Sequence, residues 1–356
     1  MTQSHAGLDV SALEHLEGRL TADCAGALGL LLAWLGDRAG VYRAMQDIGP
    51  AGAPAIAARA GVDERYTREW LAANAAAGYV TWDPAGETFA LSPEQAFLLA
   101  QDGDPAGLRG FIELIVEQYL HEGRAREIFR SGAGLPPDAQ HASCCCGADR
   151  LSRHAYVSNL IDRWIPSLAG VQARLTTGSR VADVGCGVGS ATLLMAQAFP
   201  KSQFHGFDIH APSIEQARAE ATRLGVTNTR FDVVAARELP GRDYDLVCLF
   251  DALHDMGDPV AAATRIRKSL SPAGVLMLVE PASADRLADN LNVYSRIFYA
   301  ASTLVCTPAS RAQEGRLTLG AQAGPRRLSR VLNNAGFRYV RRTAETPTNI
   351  VLEARA

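Results

Sequence analysis

Short apolar runs alternate with stretches of helical period through the second half of the chain. Runs over residues 180–184, 203–208, 230–234, 244–250 and 275–280 predict strands, and the segments 191–198, 213–224 and 259–270 between them predict helices. Such alternation with short links predicts a parallel sheet covered by helices on both faces, an α/β fold. Beyond Ala323 the pattern gives one more helix to Asn334, stopped by Gly336, and then two strands over 338–343 and 349–354.

The first half is patterned differently. From Leu8 to Gly36 the period is helical, Leu28, Leu31, Leu32 and Leu35 fall on one face, and no charge occurs between Ala25 and Gly36. A bare apolar face of this kind predicts packing on a second copy of the chain, hence a homodimer. Residues 54–61 read as a short helix ended by Gly61, and 63–77 as a second helix capped by Asp63. Two short strands over 79–82 and 88–91 flank the turn Asp83-Pro84-Ala85-Gly86, so the order is helix, turn, helix and wing. Helical period returns over 105–131, and a Gly- and Pro-rich loop over 132–147 predicts a domain boundary. A further helix over 153–171 carries Tyr156 and Trp164. The expected organisation is a helical, winged-helix-like dimerisation domain over 1–100, a helical linker and roof over 101–170, and a catalytic domain over 171–356 with an insertion over 281–323.

A length of 356 residues suits two domains, and 47% hydrophobic with 21% charged residues describes a soluble chain with a substantial core. The net charge of −3 leaves no electrostatic footprint for nucleic acid. The candidate recognition helix over 63–78 sets Arg65 and Arg68 against Asp63, Glu64 and Glu69, a poor balance for gripping phosphates. The apolar run over 24–35 is too short to span a bilayer, and no basic-then-apolar leader precedes it, so a cytoplasmic protein without membrane contact is expected. Seven cysteines, three of them the adjacent Cys144, Cys145 and Cys146 near His141, lack the spaced pairs of a zinc site and read as reduced thiols.

Chemistry is concentrated in the stretch Val181-Ala182-Asp183-Val184-Gly185-Cys186-Gly187-Val188-Gly189-Ser190, a buried strand ending in an acid and running into a glycine loop. Glycines let a ligand approach the backbone closely. A dinucleotide loop wants its third glycine where Ser190 stands; here it comes one residue early, at Gly189. Asp183 would repel a pyrophosphate and suits an ammonium. Asp208, at the end of the second strand with Ile209 after it, can accept from both hydroxyls of a ribose. A nucleoside carrying an amino acid meets all these conditions, and that ligand is S-adenosylmethionine.

From Val181 to Glu280 the chain resembles a class I S-adenosylmethionine-dependent methyltransferase. Over its whole length it is similar to actinobacterial methyltransferases that carry an N-terminal winged-helix domain and are related in layout to small-molecule O-methyltransferases. The resemblance is carried by VADVGCGVG, FHGFDIHAPSIEQAR, FDALHDMGDP, LMLVEP and TPTNIVLEAR. It implies a Rossmann-like sheet, a dimerising N-terminal domain, and a roof helix bearing Tyr156 and Trp164.

Ligands of open parallel sheets bind beyond the carboxyl ends of the strands. Those ends place the Ala235 and Ala236 amides at the adenine and Phe250 and Asp251 beside the cofactor. Methyl transfer to a hydroxyl also needs a base, and His254, a few residues beyond the fourth strand, has the right chemistry. Its segment is similar to the Leu-His-Asp-Trp-Ser-Asp stretch of plant-type O-methyltransferases, which makes His254 the base and Glu280 its assisting acid. The second assisting acid of that family would fall near Gln322, where this chain has none. Tyr294, Phe298 and Tyr299 of the insertion are the expected pocket-lining residues for a small-molecule acceptor. Two alternatives stand beside this reading. One is metal-assisted carbon methylation of a keto acid, implied by some relatives, with His254 and Cys306 as ligands; the other is a cofactor-responsive, DNA-binding regulator.

Overall fold

Seven strands form one sheet in the computed structural model, which describes residues 7–104, 106–120, 122–136, 142–315 and 317–356. By internal contacts the chain divides into two compact units, Met1–Glu117 and Gln118–Ala356.

The first unit opens with the helix Val10–Arg38, whose N-cap Asp9 accepts from the Ala12 amide at 3.1 Å. Helices Val41–Ile48, Ala53–Ala60 and Glu64–Ala76 follow, then strands β1 (Thr81–Asp83) and β2 (Thr88–Ala90), and helices Pro93–Leu99 and Leu108–Leu120. An antiparallel β1–β2 pair and a bridge from Ala51 to Phe89 make the wing. Tyr42, Met45, Ile56, Trp70 and Leu71 form its core. The long helix approaches closely at Gly36, where a Cβ would lie 2.2 Å from the Trp70 ring. Leu13, Leu16, Leu20, Leu28, Leu31 and Leu35 of that helix are exposed in the single chain. By length and composition alone it is long and apolar enough to cross a membrane, which the 24–35 run considered by itself is not.

The second unit holds the large sheet: β3 (Arg180–Val184), β4 (Gln203–Asp208), β5 (Thr229–Val233), β6 (Tyr244–Phe250), β7 (Leu270–Pro281), β8 (Tyr339–Glu345) and β9 (Asn349–Arg355). Their order is β5-β4-β3-β6-β7-β9-β8, parallel from β5 to β7, with β9 and β8 closing the edge antiparallel. A parallel strand buried on both faces reads as a continuous apolar run, and β6 shows why. Val247 and Leu249 enter the core on one side with Phe207, Leu276 and Leu332, while Leu246, Cys248 and Phe250 enter the other with Trp164, Met195 and Phe204. Strand order reverses between β3 and β6, so a crevice opens at their carboxyl ends.

The segment expected as a loop over 132–147 is helical from Ala142, in a helix that runs to Asn159 and continues through a π-turn, Leu160–Trp164. Cys144–Cys146 therefore lie on a helix; their side chains, and His141, fall outside the described residues. The insertion folds as Val293–Ala301, a π-turn Ser302–Cys306 and Thr307–Arg311.

Candidate functional site

The loop after β3 is tied down before any ligand arrives. Amides of Gly185 and Cys186 both donate to the Phe207 carbonyl, at 2.7 and 3.0 Å, and the Gly187 amide donates to Asp208 Oδ2 at 2.9 Å. Asp208 Oδ1 accepts from the His210 amide at 2.8 Å. Each oxygen keeps a second lone pair, so the carboxylate is oriented yet able to accept from a ribose. Gly187 has φ +53° and nothing near its missing Cβ, so a side chain there would fill the cradle; Gly189, at φ +82°, would drive a Cβ to 2.8 Å from Phe231.

Asp183 is 1% exposed, with Oδ2 accepting from Thr192 Oγ1 at 2.5 Å and Oδ1 lacking a hydrogen-bond partner. Burial pushes its carboxyl up to about 7, opposed by the Thr192 bond and reinforced by Asp208. A buried, half-satisfied carboxylate at a cavity wall is what a ligand ammonium would complete. The cavity itself, about 880 Å³, is lined by Asp183, Gly185, Gly187, Asp208, Ile209, Ala235, Ala236, Phe250, Asp251 and Tyr156, among others. That volume lies toward the top of the range of roughly 300–1,000 Å³ for small-molecule sites, enough to hold more than a cofactor. Gly189 shapes the turn without lining it.

Asp251 stands at φ +49° directly after β6, and its carboxylate accepts from Asn349 Nδ2 at 3.2 Å. Burial and then Glu280 raise it to about 7. Next comes the turn Leu253–Asp255. His254 Nδ1 lies 2.5 Å from Glu280 Oε2, and Glu280 Oε1 accepts the Leu253 amide at 3.0 Å. On the other side of the ring, Nε2 lies 3.3 Å from Asp255 Oδ1. Burial works against the imidazolium, but Asp255 and Glu280 outweigh it and hold the His254 pKa well above its ordinary value.

His254 was expected to take the acceptor proton, and the structure places it behind the cavity wall. The ring is 4% exposed and does not line the cavity; Asp255 does. A second carboxylate reaches the ring from Asp255 at the adjacent position, while Gln322, where the resemblance would put an acid, donates to the Ala282 carbonyl. Buried Cys306 completes a group with His254 and Asp255 whose potential ligand atoms lie within 4.8 Å of one another.

Three further expectations change. Trp164 is 1% exposed and packs in the core against Tyr156, so it does not line the pocket. Tyr294 faces a separate surface cavity with Asn292 and Arg342. Phe298 and Tyr299 do not line the main cavity either; the Tyr299 hydroxyl accepts from Asn290 Nδ2 at 3.3 Å. The insertion reaches the cavity through Val305, Ala309, Gln313, Glu314 and Gly315 instead. Gln313 clasps it there, donating to the Asp255 carbonyl at 2.8 Å and accepting from the Gly257 amide at 3.2 Å. A π-turn shifts the helical phase by a residue, and nothing in the apolar period announces it. Asp149 on the roof helix, which accepts from Ser190 Oγ at 2.6 Å, and Ser213 of the helix Ala211–Arg223 also line the cavity and carry no motif.

Comparison with known proteins fits this geometry. Residues 175–336 match a family described as a methyltransferase domain, and residues 26–101 match the Rv2258c-like winged HTH domain. The trans-aconitate 2-methyltransferase of Deinococcus radiodurans is 33% identical over 113 residues, 32% of this chain and 42% of that protein. The aklanonic acid methyltransferase DauC of a Streptomyces species is 34% identical over 108 residues, 30% of this chain and 49% of that protein. The chain thus spans less than half the length of these relatives. Human N-acetylserotonin methyltransferase, solved in complex with SAM, superposes over 99% of both chains with a TM-score of 0.72 at 14% identity, a likeness of fold. The chain thus joins a winged helix-turn-helix domain of the Rv2258c-like kind, over residues 26–101, to a methyltransferase domain over residues 175–336.

Proposed function

We propose that this protein transfers a methyl group from S-adenosylmethionine to a hydroxyl of a small molecule held between residues 251–258 and the insertion. The observation that carries the reading is the preformed cradle, in which Gly187 and Asp208 are bonded to each other while buried Asp183 keeps one oxygen unpaired at the same cavity.

When bound, the cofactor supplies an activated methyl group. The chain's own residues hold the acceptor oxygen in line with it and take a proton. A hydroxyl at the wall would give that proton to Asp255, whose Oδ1 has no hydrogen-bond partner and whose carboxyl burial raises, with His254 partly opposing. His254, backed by Glu280, sits behind and fixes the charge of the pair.

Transfer of labelled methyl from S-adenosylmethionine to members of a phenol and alcohol library tests this. Loss of label transfer in Asp255→Asn with cofactor binding intact supports it, and undiminished transfer opposes it.

The group formed by His254, Asp255 and Cys306 favours a second reading, carbon methylation assisted by a metal. Metal analysis of the purified full chain separates the two. The exposed leucines of the helix Val10–Arg38 support a homodimer, and sedimentation of wild type against Leu28→Glu/Leu31→Glu tests it.

A further inference from the structure

Seven carboxylates line the cavity: Asp149, Asp183, Asp208, Asp251, Asp255, Asp258 and Glu314. Against them stand Arg237, whose guanidinium pairs with Glu314, and His210, whose Nδ1 is 2.8 Å from Ser213 Oγ; no lysine lines the cavity among the described residues. All seven have a local partner: Asp149 in Ser190, Asp183 in Thr192, Asp208 in two amides, Asp251 in Asn349, Asp255 in the His254 ring, Asp258 in the Ala261 amide and Glu314 in Arg237. Such hydrogen bonds orient these groups; burial favours the neutral form of Asp149, Asp183, Asp251 and Asp255, and a bound cation draws each toward its ionised form.

Asp251 and Asp255 stand at the first turn after β6 and share the cavity wall with Val305 and Ala309 of the insertion. Asp251 accepts from Asn349, and Asp255 Oδ1 lies 3.3 Å from His254 Nε2 without a hydrogen-bond partner. In a partly desolvated cavity each carboxylate favours a cationic ligand and disfavours an anionic one far more than it would in water. The cofactor's ammonium and sulfonium answer some of this field, but its own carboxylate returns part of it, and the wall by the insertion stays acidic.

We propose that the acceptor is a small molecule carrying a protonated amine and no carboxylate, such as an amine-bearing phenol or alcohol. This rests on assigning the cavity to S-adenosylmethionine and its acceptor. It also separates this chain from the relatives named for trans-aconitate, which match it over 113, 107 and 135 residues. The acidic wall then acts by exclusion as well as attraction, since a carboxylate-bearing acceptor meets no unpaired cation among the described lining residues.

The test is binding to the full chain saturated with S-adenosylhomocysteine, measured by calorimetry at low salt. The probes are tyramine, 4-ethylphenol, 3-(4-hydroxyphenyl)propionate and trans-aconitate. Tyramine should bind about tenfold or more tighter than 4-ethylphenol, with both carboxylates weaker still, and added salt should narrow the spread. Asp255→Asn should narrow it too. A carboxylate that binds as well as tyramine, no preference for tyramine over 4-ethylphenol, or binding by none of the four overturns the inference. The readout does not depend on turnover. Tyramine that binds as expected but is never methylated counts against the catalytic reading alone, whereas failure of S-adenosylhomocysteine to bind overturns the cofactor assignment and this inference with it.

Discussion

Glu280 holds His254 from behind: one carboxylate oxygen sits 2.5 Å from Nδ1 and the other takes the Leu253 amide, so ring and turn are fixed by a single side chain at the end of β7. Removing the charge while keeping the shape, as in Glu280→Gln, should lower the His254 pKa toward its ordinary value. Turnover should fall about 10²–10⁴-fold with cofactor affinity kept. Steady-state kinetics beside cofactor titration checks this. An equal loss of both would make the pair a folding device.

Asp183 predicts a proton linkage. Its folded-state carboxyl sits at about 7, above the ordinary carboxylate range, so its contribution to stability is full below about pH 4 and is lost as pH rises through about 7. Binding an ammonium favours the ionised form, so cofactor binding at about pH 6 should release protons, and release should fade above about pH 8. Calorimetry in buffers of different ionisation enthalpy reads this directly. Asp183→Asn should remove most of the release, with Asp251 accounting for a remainder.

Two glycines of the same loop should fail in different ways. Gly189→Ala forces a Cβ against Phe231 at a left-handed φ, which should cost about 1–3 kcal/mol and lower Tm by several degrees. Gly187→Ala has open space and should lose cofactor affinity with a smaller change in Tm. Thermal melts with and without S-adenosylmethionine distinguish them; equal melts and equal affinities would show that the loop is not the cradle.

The winged-helix unit invites a DNA-binding expectation that its charges oppose. On the helix Glu64–Ala76 the two arginines are spent within the helix, Arg65 on Glu69 and Arg68 on Glu64 at 2.9 Å. Sheared DNA at low salt should not shift with this protein in a mobility assay. A firm, salt-sensitive shift would favour the regulator over the enzyme.

Much of the sheet was legible because its strands are buried on both faces. Residues 180–184, 203–208 and 244–250 are short stretches built around apolar residues, and their bounds match β3, β4 and β6. The cradle was legible for a related reason: an acid, three glycines and Asp208 are forced into one segment of chain. The acceptor side was not. Asp149, Val305, Ala309 and Gln313 reach the cavity from a roof helix and an insertion whose phase is reset by π-turns. Tyr294, Phe298 and Tyr299 were drawn in by their aromatic character, yet that character says nothing about which way the turn sends them.

Calorimetric titration of wild type and Asp208→Ala with S-adenosylmethionine bears most directly on the whole reading. Wild type should bind one molecule per chain. Asp208→Ala removes the anchor of the Gly187 and His210 amides together with the ribose contacts, each charged hydrogen bond being worth about 1.5–3 kcal/mol, so affinity should fall at least about tenfold. No binding by wild type, or equal binding by the variant, would contradict the assignment of this crevice to that cofactor.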